Sequence, residues 1–370
     1  MNNEPTPSSY ITSHKELGSA KQFVSLPEKV LSSIPESLIS SDEEKALRPC
    51  SLLDFSGQAN TCKKLKVSIR AAMQREEALG HCLLSGPPGL GKTTLAMIIA
   101  KEMGKKLHVT SGPALEKAGD LAGILNSLEE GDVLFIDEIH RLSRQVEEYL
   151  YPAMEDFVLD LMIDSGSAAR SVQLKLAPFT LIGATTRSGL LTAPLRSRFT
   201  LTCRLDYYDE LTLEKIIVRS ASTLSVTTMP NECAKEIAKR ARGTPRVANN
   251  LLKWVRDYCQ TEGEGSYAYS VVTQALEMLA VDEGGLDDLD RRLLTVLIKN
   301  FSGGPVGLST LALAIGEEAQ TIEEVHEPYL VLKGFLKRTP RGRCATELAK
   351  AHLGLHDTVQ AASAGESLFN

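Results

Sequence analysis

Between residues 45 and 205, short apolar runs alternate with amphipathic stretches along the chain. HCLLSG (81–86) predicts a buried strand and TTLAMIIAKEM (93–103) the helix that follows it. KLHVTSG and DVLFIDEIH predict two more strands, VEEYLYPAMED a helix, and PFTLIGATT a further buried strand. The strand segments are continuously apolar rather than alternating, the pattern of a parallel sheet covered on both faces, so the expected fold class is α/β. One segment breaks the rhythm. In DLMIDSGSAARSVQLKLAP (160–178) and the residue before it, Leu159, Leu161 and Ile163 alternate on one side of a Ser-Gly loop, and Val172, Leu174 and Leu176 on the other. That is hairpin patterning. The hairpin either points outward with an apolar face that needs a partner or packs on the parent sheet, and the pattern leaves both open.

From 206 to 282 the periodicity is helical, in LTLEKIIVRSASTL, ECAKEIAKRARG and RVANNLLKWVRDY. DEGGLDDLD then marks a boundary. Beyond it come the helices LDRRLLTVLIKNF, LSTLALAIGE and TIEEVHEPYLVLKG, and short strands around FLKRTPRGRCAT. Three helices followed by a basic hairpin is the layout of a winged helix. The expected organisation is a flexible leader (1–46), a large nucleotide-binding domain (47–205), a small helical domain (206–282), a winged helix (283–355) and a mobile tail (356–370).

Composition narrows the class only a little. A net charge of −6 over 370 residues gives no hint of a nucleic-acid partner, so any case for DNA rests on local charge. The seven cysteines stand singly, without metal-ligand spacing, as free thiols do in a reducing compartment. The N-terminus lacks signal-peptide character, and no apolar run approaches the roughly 20 residues that span a bilayer. The expected location is cytoplasmic, with no membrane partner.

The chemistry begins at GPPGLGKTT (86–94), a GxxxxGK-Thr pattern set directly after a strand and opening a helix. Glycines let backbone N–H groups turn inward around phosphates, and the helix N-terminus adds a favourable dipole. Lys92 then supplies a cation to the β- and γ-phosphates, and the Thr93 hydroxyl ligates magnesium. DVLFIDEIH ends in two acids. Asp137 can hold the magnesium water shell, and Glu138 can accept a proton from the attacking water. ATP and Mg²⁺ are therefore the expected cofactors, and two acids favour hydrolysis over binding alone. LRSRF (195–199) presents Arg196 and Arg198, and GTPR (243–246) places Arg246 at the start of a helix, where it could reach the γ-phosphate. An isolated arginine is more often a surface charge; the setting beside a P-loop favours a role in neutralising phosphoryl-transfer charge.

From 331 to 353 the basic residues are Lys333, Lys337, Arg338, Arg341, Arg343 and Lys350, against the single acid Glu347. RTPRGR has the composition of a wing lying on a phosphate backbone. The bland alternative is a solvated basic face. No aromatic stacking partner or base-reading set accompanies it, so binding should be salt-sensitive and largely independent of sequence.

LRPCSLLDFSGQ, GPPGLGKTT, TSGPALEKAGDLAGIL, VLFIDEIHRLS, YPAMED, TLIGATTR, PLRSRF, RARGTPRVAN, GGPVGLSTLALAIGEE and GFLKRTPRGR together resemble the RuvB family of Holliday-junction branch-migration ATPases, over about residues 45–354. The Walker motifs alone would indicate only an AAA+ ATPase; TSGPALEK and RTPRGR are far more specific. The resemblance implies an AAA+ domain, a helical lid and a winged helix, assembled as a hexameric ring around double-stranded DNA and working with a RuvA tetramer at the junction, with the RuvC resolvase as a further partner. It implies a nucleotide pocket of Leu47, Arg48, Gly89, Gly91, Lys92, Thr93, Thr94 and Tyr208, with Thr186 as polar sensor and Arg246 as second sensor. Arg198 becomes the finger reaching the adjacent subunit's site, with Glu155 and Asp156 as further nucleotide-site residues. The hairpin near 157–176 becomes the RuvA-docking element, and Arg338, Arg341 and Arg343 the DNA-contacting wing. Cys50, Thr200, Trp254 and His326 depart from the family pattern, none of them at a catalytic position. The competing reading is a nucleotide-switched DNA loader or initiator without processive movement. A protein unfoldase lacks support, because no aromatic pore-loop signature is present.

Overall fold

A computed structural model describes residues 42–163, 170–226 and 228–355 of the chain. Most of the expected leader, the whole expected tail and the Ser-Gly tip of the hairpin (164–169) lie outside the described residues. Helix α1 (Asp42–Leu47) takes up the last residues of the leader. Its Leu47 is buried, and its Glu43 carboxylate lies 3.1 Å from Arg256 Nη1. These contacts come from far along the chain and leave no mark on the local pattern.

Helix α2 (Ala59–Arg75) precedes a five-stranded parallel sheet with strand order β2-β3-β6-β1-β7. The strands are β1 (Cys82–Ser85), β2 (Leu107–Ser111), β3 (Val133–Asp137), β6 (Thr180–Thr185) and β7 (Leu201–Arg204). Every residue of β1 and β6 is buried, which explains why these segments read as unbroken apolar runs. Helices α3 (Lys92–Glu102), α4 (Ala118–Ser127), α5 (Arg144–Glu155) and α6 (Ala193–Ser197) connect the strands. α3 follows β1 through the Gly-rich loop. β3, β6 and β1 are adjacent and parallel, so their carboxyl ends open side by side, where ligands bind in sheets of this kind.

The expected hairpin is present as β4 (Val158–Ile163) and β5 (Arg170–Lys175), with Leu159 opposite Leu174 and Leu161 opposite Val172. It forms its own two-stranded sheet rather than joining the parallel one. Its base packs inward: Leu159 and Leu176 are buried in the same cluster as Leu134, Ile136 and Leu150.

Helices α7 (Glu210–Thr223), α8 (Asn231–Arg240), α9 (Pro245–Thr261) and α10 (Tyr269–Met278) form the lid. Their apolar faces continue the cluster beneath one face of the sheet, through Leu213, Ile217, Ala248 and Leu252. The Trp254 indole N–H donates to the Ala275 carbonyl at 2.7 Å, tying α9 to α10.

The C-terminal unit is a winged helix with its own core around Leu293, Leu297, Leu311 and Leu330. It contains α11 (Asp288–Phe301), α12 (Leu308–Ile315) and a third helix that differs from the continuous one expected over 321–334. That third helix runs through Ala319–Thr321, a π-helical stretch Ile322–His326, and α13 (Glu327–Leu332). Pro328 is the physical reason. Its ring cannot sit in a regular α-turn, because it lacks an N–H and crowds the carbonyl four residues back, and the wider π turn relieves that crowding. Strands β8 (Leu336–Thr339) and β9 (Gly342–Ala345) form the wing and α14 (Glu347–His352) closes the unit.

The lid and the winged helix meet at a buried ionic cluster. Asp290, fully buried, forms an ion pair with Arg242 Nη1 at 2.8 Å and faces His326 Nδ1 at 2.7 Å. Asp287, Asp290 and His326 have metal-ligand chemistry, but the Arg242 guanidinium already bridges both carboxylates. His326 is thus the partner of a buried acid. Asp290→Ala would remove the buried carboxylate that Arg242 and His326 share, at a cost of about 3 kcal/mol. The expected outcome is a drop of roughly 10 °C or more in the melting transition of the C-terminal unit, read by scanning calorimetry. An unchanged midpoint would contradict this account of the junction.

Candidate functional site

At the carboxyl ends of β1, β3 and β6 the structure holds a cavity of about 550 Å³ between sheet and lid. Leu47, Arg48, Gly89, Gly91, Lys92, Thr93, Thr94, Asp137, Glu138, Thr186, Tyr208 and Arg246 all line it. They come from the end of α1 and the segment after it, the Gly-rich loop, the ends of β3 and β6, and the lid.

Local backbone chemistry sets up the cradle. Gly91 (φ 98°) and Gly89 (φ 79°) are in the left-handed region. A Cβ on Gly91 would sit 3.0 Å from the Phe55 ring, and one on Gly89 3.1 Å from Arg246 Cβ. Glycine is thus required both for the conformation and for the close approach of loop, N-terminal segment and lid. The Lys92 ammonium is buried and donates to the Gly86 and Pro87 carbonyls at 2.8 and 2.9 Å. Burial lowers its pKa, Asp137 and Glu138 oppose that, and Arg246 adds to it. Thr244 caps α9 by accepting from the Val247 amide, with Pro245 at the first helical position, and the next residue, Arg246, reaches the cavity. The Arg246 amide donates to the Gly89 carbonyl at 3.4 Å, so lid and loop touch directly.

Glu138 takes a left-handed backbone conformation (φ 48°), uncommon for a side chain of its size, at the end of β3. Its carboxylate accepts from Thr186 Oγ1 at 3.3 Å and lies 3.2 Å from His140 Nδ1. Burial, then the neighbouring Asp137, raises its pKa; Lys92 and the Thr186 hydrogen bond pull it back. A carboxylate held more basic than usual beside a fixed hydroxyl is suited to accept a proton. Tyr208 is buried, and its hydroxyl donates to the Leu90 carbonyl at 3.1 Å, bracing the loop from the lid side.

Arg198, Glu155 and Asp156 do not line this cavity. They gather elsewhere on the large domain: Arg198 Nη2 donates to Glu155 Oε2 at 3.0 Å, and its guanidinium lies 4.4 Å above the Tyr151 ring. Glu155 and Asp156 are exposed.

The wing also differs from a simple count of its charges. Arg341 is exposed at the tip. Arg338 Nη2 is 2.6 Å from Glu323, and Arg343 Nε is 2.5 Å from the buried Glu327. Two of the three expected DNA-contacting arginines are therefore paired with acids of the preceding helix.

Several lining residues escaped the sequence reading. Asn249, Asn250 and Lys253 follow Arg246 at helical spacing on α9, a signal that was present. Phe55 and Arg219 carried none. Arg219 donates to the Asp54 and Leu47 carbonyls at 2.9 and 3.3 Å, a purely tertiary tether of the N-terminal segment.

A phosphate-type loop, two strand-end acids, a polar residue on the adjacent strand and a lid arginine define a P-loop nucleotide-binding protein of the AAA+ class, here with a winged helix appended. The chain belongs to the RuvB family. Residues 47–205 match the Holliday junction DNA helicase RuvB P-loop domain, 208–282 the RuvB AAA lid domain and 283–354 the RuvB C-terminal winged helix domain. The chain is 61% identical over 310 residues to the Holliday junction branch migration complex subunit RuvB of Protochlamydia amoebophila, covering 84% of this chain and 93% of that relative. It is 57% identical over 315 residues to the same subunit of Chlorobaculum tepidum, covering 84% and 91%. The solved structure of the Thermotoga maritima RuvB Holliday junction branch migration motor superposes with a TM-score of 0.77 at 52% identity, over 84% of this chain and 99% of that one. No helix among the described residues is long and apolar enough to cross a membrane.

Gly91→Ala should combine left-handed strain with a clash against Phe55. The expected result is a nucleotide affinity about tenfold weaker, roughly 1.4 kcal/mol, in equilibrium binding of a fluorescent ATP analogue. Wild-type affinity would show that the loop tolerates the extra methyl.

Proposed function

We propose that the chain is the ATP-driven motor of a branch migration complex, moving double-stranded DNA at Holliday junctions during recombination and repair. The observation that carries this reading is the convergence of Lys92, Asp137, Glu138, Thr186 and Arg246 on one cavity, in a chain that ends in a winged helix. The proposed units are the ATPase domain at 47–205, the lid at 206–282 and the winged helix at 283–355.

The cavity fits Mg-ATP: its loop glycines leave room for phosphates, and Thr93 and Asp137 supply the hard oxygen donors that magnesium prefers. Magnesium, when bound, neutralises charge on the β- and γ-phosphates. Lys92 contributes a cation to the same phosphates. Glu138 takes the proton of the attacking water, its basicity raised by burial and Asp137. Thr186 orients that carboxylate, and Arg246 links the phosphates to the lid. Leu47, Arg48 and Tyr208 enclose the remainder of the nucleotide.

Arg198 lies outside its own chain's pocket, as expected of a residue that serves an adjacent subunit in a homo-hexameric ring, with Glu155 and Asp156 beside it at that boundary. The hairpin, paired only with itself, is the docking element for a RuvA tetramer; RuvC is a further partner at the junction. Arg341, the exposed tip of the wing, makes the first phosphate contact, joined by Arg338 and Arg343 once their acids are displaced.

The direct test is ATP-dependent dissociation of a synthetic four-way DNA junction, with and without RuvA. Wild type should dissociate it in the presence of RuvA and magnesium, and Lys92→Ala should lose at least about 100-fold of the rate. Robust ATP turnover with no strand exchange would instead favour the loader reading. Lys92→Ala and Arg198→Ala subunits, each inactive alone, should regain part of the ATPase activity when mixed; complete inactivity of every mixture would exclude a site shared between subunits.

A further inference from the structure

A line of polar contacts runs from the nucleotide cavity to the wing. Glu138 Oε2 lies 3.2 Å from His140 Nδ1, and His140 Nδ1 lies 3.0 Å from Thr185 Oγ1. Thr185 Oγ1 accepts from the Arg187 backbone amide at 3.0 Å. The Arg187 side chain then leaves the ATPase domain and reaches the π-helical stretch of the winged helix. Its Nη2 donates to Glu324 Oε1 at 2.6 Å and lies 3.7 Å from Glu323 Oε2. The other oxygen of Glu323 accepts from Arg338 of the wing at 2.6 Å.

We infer that Arg187 is a positioning residue that couples the nucleotide cavity to the DNA-contacting wing through its ion pairs with Glu323 and Glu324. The inference rests on the motor reading and specifies how the DNA-binding unit and the ATPase site communicate.

Three features support it. Arg187 directly follows Thr186, so a displacement of the β6 end by a bound γ-phosphate moves its backbone. Glu323 is shared between Arg187 and Arg338. A phosphate that draws Arg338 away leaves Glu323 to Arg187, and a shift of Arg187 away from Glu323 strengthens its hold on Arg338. The effect is reciprocal, as linkage requires: what DNA does to the nucleotide site, nucleotide does to DNA affinity. The third feature is burial. The contact is about two-thirds buried, with side-chain exposures of 35% for Arg187 and 37% for Glu324, so salt screens it less than a surface pair.

The test compares ATP turnover of the full chain with and without linear duplex DNA. The variants are Glu324→Gln, Arg187→Gln and the charge-exchanged double variant Arg187→Glu/Glu324→Arg. Glu324→Gln should keep DNA-free turnover within about twofold while the stimulation by DNA falls about fivefold or more, the lower end of allosteric coupling. Arg187→Gln should lose stimulation to the same extent. The exchanged pair should recover at least half of it, which a merely structural role for either residue would not produce. Wild-type stimulation in both single variants, or an exchanged pair no better than the singles, would overturn the inference. Absence of both DNA stimulation and junction dissociation in the wild type would remove the motor reading and the coupling with it.

Discussion

The structure is organised around the need to hold several polar groups at the carboxyl ends of three adjacent parallel strands. β1 delivers the Gly-rich loop and the buried Lys92, β3 the acids Asp137 and Glu138, and β6 Thr186. Putting a lysine and two carboxylates in a partly desolvated cavity is costly unless they face one another or hydrogen-bond acceptors, and here Lys92 has both. The fully apolar β1 and β6 follow from the same requirement, because strands that must end at fixed positions need cores on both faces. The lid then completes what the sheet cannot. It shares one hydrophobic cluster with the sheet, and it presses Arg246 and Tyr208 against the loop. A lid packed on the same core as the site it covers has a means of responding to what occupies that site.

Much of this was legible in the sequence, for physical reasons that differ by element. The P-loop and the strand-end acids were readable because phosphate chemistry fixes residue types at fixed spacing. The parallel strands were readable because their burial leaves continuous apolar runs. The third helix of the C-terminal unit was legible as a helix, but its π-helical stretch was not, since periodicity does not register the turn that accommodates Pro328. Phe55 and Arg219 entered the site unannounced, because both act through contacts made only once the segment after α1 folds over the loop. The hairpin left two readings open from alternation alone. Its base packs in the parent core through Leu159 and Leu176, while its strands join no other sheet.

The wing shows how a charge count over a window can mislead. Across 331–353 the basic residues face a single acid, yet Glu323 and Glu327 lie just outside that window and return to meet the same arginines in space. Arg343 is joined to a carboxylate that is itself buried, so freeing it for DNA exposes a buried charge to the loss of its partner. Arg338, half exposed, is easier to release, and Arg341 at the tip is the most available. The three arginines are thus graded in their readiness to meet phosphate.

That grading bears on how the unit can use DNA. A winged helix often reads sequence by laying its third helix in the major groove, where it must approach phosphates on both sides. Here that helix and the turn before it carry Glu317, Glu318, Glu323, Glu324 and Glu327. Glu323, Glu324 and Glu327 are neutralised by Arg187, Arg338 and Arg343, and drawing those arginines to DNA would leave their carboxylates unpaired beside the phosphates. Like-charge repulsion therefore opposes insertion of the helix, which supports the wing as the contacting element proposed above. Phosphate contacts fix position without carrying base information. A motor that must advance over any sequence needs that kind of contact, one that is held by charge, broken by salt and indifferent to the bases passing beneath it.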